Sequence, residues 1–160
     1  MKKIALISHG CAKNLVDSEL ILGILAQNGY EITLNEDETD IVIVNTCSFI
    51  CDAERESIAT ILELVEKGKK VIVAGCLAQK HPEELKKEIP EVAGLVGTTD
   101  FEKIIEVVKN VDNDTNTEVN EKPDYIYPEN VERQQITMGA SSYVKIADGC
   151  NYRCGYCVIP

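Results

Sequence analysis

Apolar residues in the first 110 positions alternate between continuous runs and helical spacing. The runs IALI, DIVIVN and KVIVA are typical of parallel strands that are buried on both faces. Shorter apolar runs, YEITL and GLVG, indicate two further strands. Between the strands, apolar residues recur every three or four positions, as they do along amphipathic helices. This alternation predicts an α/β fold, with a flavodoxin- or Rossmann-like parallel sheet and helices on both faces.

Polar residues and glycines predict where the first two helices begin and end. Asn14 is expected to cap a helix from Leu15 to about Asn28, and Gly29 is expected to stop it. A second helix is predicted from about Asp52 to Glu66, and Gly68 ends it.

Two more helices follow, and the apolar spacing predicts which side chains the later helices bury. Pro82 suits the first position of a short helix, and Asp100 is expected to cap the last one. The side chains predicted to face the core are Ile58, Ile61, Leu62, Val65, Leu85, Ile89, Phe101, Ile104, Ile105 and Val108.

The composition changes after this region. The segment 111–139 is polar, acidic and without a sustained period, which is typical of an extended linker. The run SSYVKIADGC then resembles a strand that leads into a cysteine-rich loop. The sequence therefore predicts an N-terminal domain over residues 1–110, a linker over 111–139 and the start of a second domain over 140–160.

The charge and the N-terminal residues limit the class of protein. Twenty-seven acidic and 16 basic residues give a net charge of −11, which argues against a nucleic-acid-binding surface in this stretch. The start MKKIALISHGC weakly resembles a lipoprotein signal, but its apolar run Ile4–Ile7 is too short for one, so we interpret it as a strand. Since no apolar stretch approaches the roughly 20 residues of a membrane span, we expect a soluble, cytoplasmic protein with no membrane partner.

Seven cysteines are many for a cytoplasmic protein, where thiols bind metals or act in catalysis more often than they form disulfides. Cys11, Cys47 and Cys76 each follow a predicted strand. Because ligand sites form at the carboxyl ends of parallel strands, these thiols are expected to converge on a metal or an iron–sulfur cluster. The alternative is that all three are small buried residues. Cys51 is interpreted as an extra core thiol or a substitute ligand.

The last cysteines are more closely spaced. Cys150, Cys154 and Cys157 follow the pattern C-x3-C-x2-C, which supplies three thiolates and leaves one metal position open. Open positions are typical of sites that carry out chemistry, whereas structural zinc sites are closed by four ligands. A zinc site or an unstructured tail remains the alternative.

The segment CNYRCGYC resembles the cluster loop of radical S-adenosylmethionine enzymes. The resemblance implies that Cys150, Cys154 and Cys157 hold a [4Fe-4S] cluster that binds S-adenosylmethionine. Tyr156 takes the place of the aromatic residue that packs beside the adenine. The chain would then end within the first strand and cluster loop of a truncated β/α barrel.

Three further segments, HGCAKNLVDSE, VNTCSFI and AGCLAQ, resemble the cysteine motifs of the methylthiotransferases, a family of radical S-adenosylmethionine enzymes. The resemblance implies that Cys11, Cys47 and Cys76 hold a second [4Fe-4S] cluster. It also implies transfer of a methylthio group to an unactivated carbon, and an N-terminal fragment that is inactive alone. Asn14, Asp17 and Glu19 are expected either to tune this cluster through hydrogen bonds or to serve as the cap and the first-turn acidic residues of the helix.

The first motif resembles the branch of the family that modifies the β-carbon of an aspartate in the twelfth protein of the small ribosomal subunit. Ala12 stands where that branch usually has proline, and His9 where it usually has leucine. The implied partners are the ribosomal protein and an electron donor such as flavodoxin. The alternatives are the branch that modifies a tRNA adenosine, whose partner is a nucleic acid, a metal-binding module without catalysis, and a flavodoxin-like electron carrier.

Overall fold

The computed structural model describes residues 2–98, 100–113, 115, 117–119, 131–137, 139–147 and 149–157. Its strands are β1 (Lys3–Ser8), β2 (Glu31–Thr33), β3 (Ile41–Thr46), β4 (Lys70–Gly75), β5 (Gly94–Val96) and β6 (Thr117–Val119). Its α-helices are α1 (Ala12–Gln27), α2 (Cys51–Glu66), α3 (Cys76–Lys80), α4 (Pro82–Glu88) and α5 (Ile104–Asp112). Short 3-10 turns occupy Glu36–Glu38 and Phe101–Lys103.

The six strands form one sheet in the order β2-β1-β3-β4-β5-β6, and every strand pairing is parallel. The chain begins inside the sheet, moves outward to β2 and then returns past β1 to build the other side. The order of the first five strands is that of flavodoxin-like folds, whose switch point lies between β1 and β3. The predicted α/β class and parallel sheet are confirmed.

Two apolar layers cover the sheet, one on each face. One layer contains side chains of α1 and α5, such as Ile21, Leu25 and Val108. The other contains side chains of α2, α3 and α4, such as Leu64 and Leu85. The central strand β3 is buried along its whole length, as its continuous apolar run predicts.

Helix α1 begins earlier than predicted. It starts at Ala12, with Cys11 at the capping position, so Asn14 lies inside the first turn and the prediction that it caps the helix is wrong. The side chain of Asn14 instead donates to the carbonyl oxygen of Thr46 at the end of β3. Gly29 follows the helix with a φ of 82°, which confirms it as the stop.

The buried face of α2 also differs from the prediction. Ile61 is buried as expected, but Leu62 is 43% exposed, whereas Leu64 is buried. The sheet therefore selects a face centred on Ser57, Ile61 and Leu64, a spacing of four and three residues that suits one side of a helix. Ile58 packs at the margin of this face.

The later helices follow the prediction more closely. Pro82 opens α4, and Leu85 and Ile89 are buried. Asp100 precedes the 3-10 turn that leads into α5, although its side chain makes no capping hydrogen bond. Of the side chains expected to face the core here, Phe101, Ile104 and Val108 are buried, and Ile105 packs at the edge.

Part of the predicted linker adds to the domain. Helix α5 continues to Asp112, and β6 pairs with β5 at the sheet edge. Residues 120–130 of the predicted linker lie outside the described residues. The sequence predicts a strand within SSYVKIADGC, but the described segment 141–147 contains none. No described strand lies beside it to supply backbone partners. Within the described ranges, no helix is both long and apolar enough to cross a membrane.

Candidate functional site

Three cysteines lie at one edge of the sheet, at the carboxyl ends of three adjacent strands. The register places Ser8 beside Asn45 and Asn45 beside Ala74, so β1, β3 and β4 end at the same level. Cys11 caps α1 after β1. Cys47 directly follows β3, and Cys76 opens α3 directly after β4. Their position beside the switch point is where ligands bind in open parallel sheets.

Asn14 links two of these cysteines. Its side-chain oxygen Oδ1 lies 3.5 Å from Sγ of Cys11 and 3.9 Å from Sγ of Cys76. Its side-chain nitrogen Nδ2 donates to the carbonyl oxygen of Thr46 at 2.7 Å. Because Asn14 is buried and held by β3, it fixes the acceptor that both thiols approach.

Two glycines in left-handed conformations allow the backbone to pack closely at this edge. Gly10 has a φ of 99°, and a Cβ atom there would lie 2.7 Å from Cβ and 3.1 Å from Sγ of Cys47. Gly75 has a φ of 88°, and a Cβ atom there would lie 2.2 Å from Oδ1 of Asn45. Each glycine directly precedes a cysteine of the trio, so any larger residue would displace the site.

Buried polar side chains hold the strand ends beneath the cysteines. Asn45 donates through Nδ2 to the carbonyl oxygen of Asn14 at 2.8 Å and to Oγ of Ser18 at 2.9 Å. The hydroxyl of Thr46 donates to the carbonyl oxygen of Ala74 at 2.6 Å. The backbone N–H of Cys47 donates to Oγ of Ser57 at 3.2 Å. The sequence presents Asn45 and Thr46 as ordinary strand-end residues, and only the fold reveals this layer.

The exposure of the three thiols increases from the centre of the site outward. Cys47 is buried, Cys76 is partly buried and Cys11 is exposed. Among the described residues, no three His, Cys, Asp or Glu side chains are close enough together to bind one metal ion. The trio thus shares an edge, and Cys11 and Cys76 share an acceptor, without forming a closed single-ion site.

Cys51 and His9 lie near this edge but differ from the trio. Cys51 opens α2 and is exposed, so the interpretation as a core thiol is wrong. Nε2 of His9 lies 3.0 Å from Oγ1 of Thr60, and Nδ1 lies 3.7 Å from a carboxylate oxygen of Glu56. His9 therefore ties the end of β1 to α2.

The second predicted set of ligands lies on the terminal loop. Cys150 and Cys154 are exposed, and Cys157 is partly buried. The backbone N–H of Cys157 donates to the carbonyl oxygen of Cys154 at 3.0 Å, which makes a tight turn. Tyr156 is 92% exposed.

The expectation that Asp17 and Glu19 are first-turn acidic residues of α1 is wrong. Both lie past the first turn of α1 and both are buried. Asp17 pairs with Lys145, which follows the predicted linker, and Glu19 pairs with Arg133, which lies near the end of that linker. Burial raises the pKa of Glu19, but hydrogen bonds from Ile136, Arg133 and Thr137 outweigh it and hold the pKa below its usual value.

Comparison with known proteins adds to this geometry. The family model described as "Uncharacterized protein family UPF0004" matches residues 3–97. A protein of Crocosphaera subtropica named "Ribosomal protein uS12 methylthiotransferase RimO" is 49% identical over 156 residues, which is 96% of this chain and 36% of the relative. Proteins of the same name from Trichodesmium erythraeum and Gloeobacter violaceus are 49% and 48% identical over 158 residues, which is 98% of this chain and 36% of each relative. The chain thus spans about a third of the length of these curated relatives.

Proposed function

The chain belongs to the UPF0004 family, and we propose that it is the N-terminal part of a radical S-adenosylmethionine methylthiotransferase. The proposed reaction adds a methylthio group to the β-carbon of an aspartate in ribosomal protein uS12. The names of the relatives, which include ribosomal protein uS12, support the ribosomal substrate. The proposed partners are uS12 and an electron donor such as flavodoxin, and the proposed location is the cytoplasm.

The observation that carries the proposal is the convergence of three thiols at the switch point. Cys11, Cys47 and Cys76 come from three separate strand ends, and Asn14 accepts from two of them. Thiolates are the ligands that iron–sulfur clusters use, and the ligands of a cluster bind different iron atoms. A [4Fe-4S] cluster therefore does not require the three thiols to meet at one ion, as a mononuclear zinc site would.

Each part of the chain has a separate role in the proposed enzyme. Cys11, Cys47 and Cys76 would hold one cluster, and the terminal Cys150, Cys154 and Cys157 would hold the other, with Tyr156 beside the adenine of S-adenosylmethionine. When bound, these groups would supply radical formation from S-adenosylmethionine and a site for the sulfur that is transferred. The protein itself fixes the strand ends beside the cysteines through Asn14, which donates to the carbonyl oxygen of Thr46, and it brings the backbone close to the cysteines at Gly10 and Gly75.

The test is anaerobic reconstitution of the chain with iron and sulfide, followed by iron and sulfide analysis and Mössbauer spectroscopy. We expect about two [4Fe-4S] clusters per chain. The variant Cys11→Ala/Cys47→Ala/Cys76→Ala should lose one of them, and the variant Cys150→Ala/Cys154→Ala/Cys157→Ala should lose the other. Cys51→Ala is the matched control. It should keep both clusters because this variant still contains all six proposed ligands.

Two results would overturn the proposal. Equal iron in the parent chain and the first triple variant would mean that the strand-end cysteines bind no cluster. If the chain contains zinc and shows no visible absorption, the alternative of a metal-binding module without catalysis would be favoured.

The substrate is tested separately in the longer protein, by mass spectrometry of uS12 and of tRNA after reaction. A methylthio group on tRNA alone would favour the adenosine-modifying branch.

A further inference from the structure

The segment 131–147 lies along helix α1 and runs back toward the cysteine trio. Near its start, the carbonyl oxygen of Glu132 is so close to Gly23 that a Cβ atom there would lie 1.7 Å away. Next, the backbone N–H of Gln134 donates to the carbonyl oxygen of Glu19 at 3.1 Å. Later in the segment, Lys145 reaches Asp17. The contacts therefore move from residue 23 to residue 17 of the helix as the chain advances.

Glu19 is the centre of this contact. Its side chain is fully buried, and its Oε1 accepts from the backbone N–H groups of Ile136 at 2.9 Å and Thr137 at 3.1 Å. The hydroxyl of Thr137 donates to the same oxygen at 3.0 Å. Arg133 pairs with the other carboxylate oxygen and also donates to the carbonyl oxygen of Tyr143 at 2.6 Å. Glu19 thus binds residues 133, 136 and 137, and Arg133 connects them to residue 143.

Asp17 forms a second buried ion pair two residues closer to the trio, which is about 3 Å along the helix axis. Nζ of Lys145 lies 2.7 Å from Oδ1 of Asp17, and their side chains are only 3% and 9% exposed. A buried carboxylate is costly unless it is paired, and in the docked state both acids have such partners. Val131 adds an apolar contact to the core layer of α1 and α5.

We propose that Asp17 and Glu19 are positioning residues that bind the segment 131–147 and hold the terminal cysteine loop at the edge of the sheet that carries Cys11. The inference that the two sets of cysteines form one joint site rests on the proposed function. Asp17 lies six residues into the helix from Cys11, which is about 9 Å along the axis. Cys150 follows Lys145 by five residues, which span at most about 17 Å when extended. The docked segment therefore delivers the loop to the same end of α1.

The first test measures hydrogen exchange of the 160-residue chain at the backbone amides of Gln134, Ile136 and Thr137. Glu19→Gln should raise their exchange rates about tenfold or more, because a charged acceptor is lost. Arg133→Gln should raise the same exchange rates, and it changes the segment without changing the core of the domain. Arg133→Lys should restore protection in part, because lysine keeps the charge but not the planar guanidinium.

Two further variants control this measurement. Glu106→Gln removes an exposed carboxylate of α5 and should leave the three amides unchanged. Gly23→Ala adds a Cβ atom against Glu132 without touching a charge, so it should release the segment by steric conflict alone. The amides of β3 and β4 must keep their protection in every variant. Unchanged exchange at Ile136 and Thr137 in both Glu19→Gln and Gly23→Ala would overturn the proposed docking.

The second test measures position directly. Ketone-bearing residues introduced at Val144 and Arg55, which are both exposed, accept nitroxide labels without use of the native thiols. We expect one narrow distance distribution in the parent chain and a broad one in Asp17→Asn/Glu19→Gln. A broad distribution in the parent, or a narrow one in the double variant, would contradict the positioning role. Because neither test needs a cluster, failure here is distinguishable from failure of the proposed function.

Discussion

Cys11 and Cys76, which follow two different strands, place their sulfur atoms 3.5 and 3.9 Å from the same oxygen of Asn14. The two cysteines are 65 positions apart in the chain. Asn14 accepts from both and donates to Thr46 of the strand between them. A residue expected either to cap a helix or to tune a cluster is thus the physical link between the three strand ends.

Asn14→Ala should weaken both the fold and the proposed cluster site. The carbonyl oxygen of Thr46 would lose a buried donor, which costs about 1–3 kcal/mol of the free energy of unfolding. Because Asn14 also holds the end of β3 directly before Cys47, its loss should disturb the ligand positions and lower iron affinity about 10–100-fold, as for other residues that position metal ligands. Urea unfolding measures the first effect, and iron retention against a chelator measures the second. Asn28→Ala, which removes an α1 side chain bonded only to its own helix, should lower stability slightly and leave iron unchanged.

Gly10→Ala should cost more stability than Gly29→Ala. Both glycines have left-handed backbones, with φ of 99° and 82°, so alanine pays a similar conformational cost of about 1–2 kcal/mol at each. Only at Gly10 would the new Cβ meet a neighbour, Cβ of Cys47 at 2.7 Å, whereas nothing lies within 4 Å at Gly29. Thermal unfolding of the two variants isolates the packing conflict. Equal losses would mean that Cys47 moves freely out of the way.

Leu64→Ala should destabilise the domain far more than Leu62→Ala. Leu64 is 1% exposed and packs in the layer of α2, α3 and α4, so its removal should cost about 2–5 kcal/mol. Leu62 is 43% exposed, and its loss should cost less than about 1 kcal/mol. Both changes are leucine to alanine in one helix, so denaturant unfolding compares burial alone. A larger loss at Leu62 would contradict the observed face of α2.

Docking of the segment 131–147 should weaken at acidic pH. Burial raises the pKa of Glu19, but its hydrogen bonds lower it further, so the folded-state pKa lies below the ordinary value of 4.5. The stabilisation is therefore complete above about pH 4.5 and is lost as the pH falls through the folded-state pKa. NMR titration of the Thr137 amide should show a midpoint below 4.5, and Glu19→Gln should abolish it. A midpoint above 4.5 would indicate a carboxyl group that is buried without its donors.

The sequence by itself determined the first five strands, the parallel sheet and the edge where Cys11, Cys47 and Cys76 gather, but neither β6 nor the absence of a strand over 141–147. Continuous apolar runs require burial on both faces, and the residue after each strand must lie at the carboxyl edge. These are local patterns with a single geometric consequence. Gly29 and Pro82 mark the ends of helices for the same reason, because their backbone preferences act whatever surrounds them.

Only the tertiary structure decided the role of Asn14, Asp17 and Glu19, because each side chain binds a group that is distant in the chain. Asn14 contacts Thr46 and Cys76, and Glu19 contacts residues more than 110 positions away. Local propensity favours capping for such residues, but buried polar groups take whichever partner the fold brings to them. The same reason explains Leu62 and Leu64, since the sheet and not the helix period selects which leucine is buried.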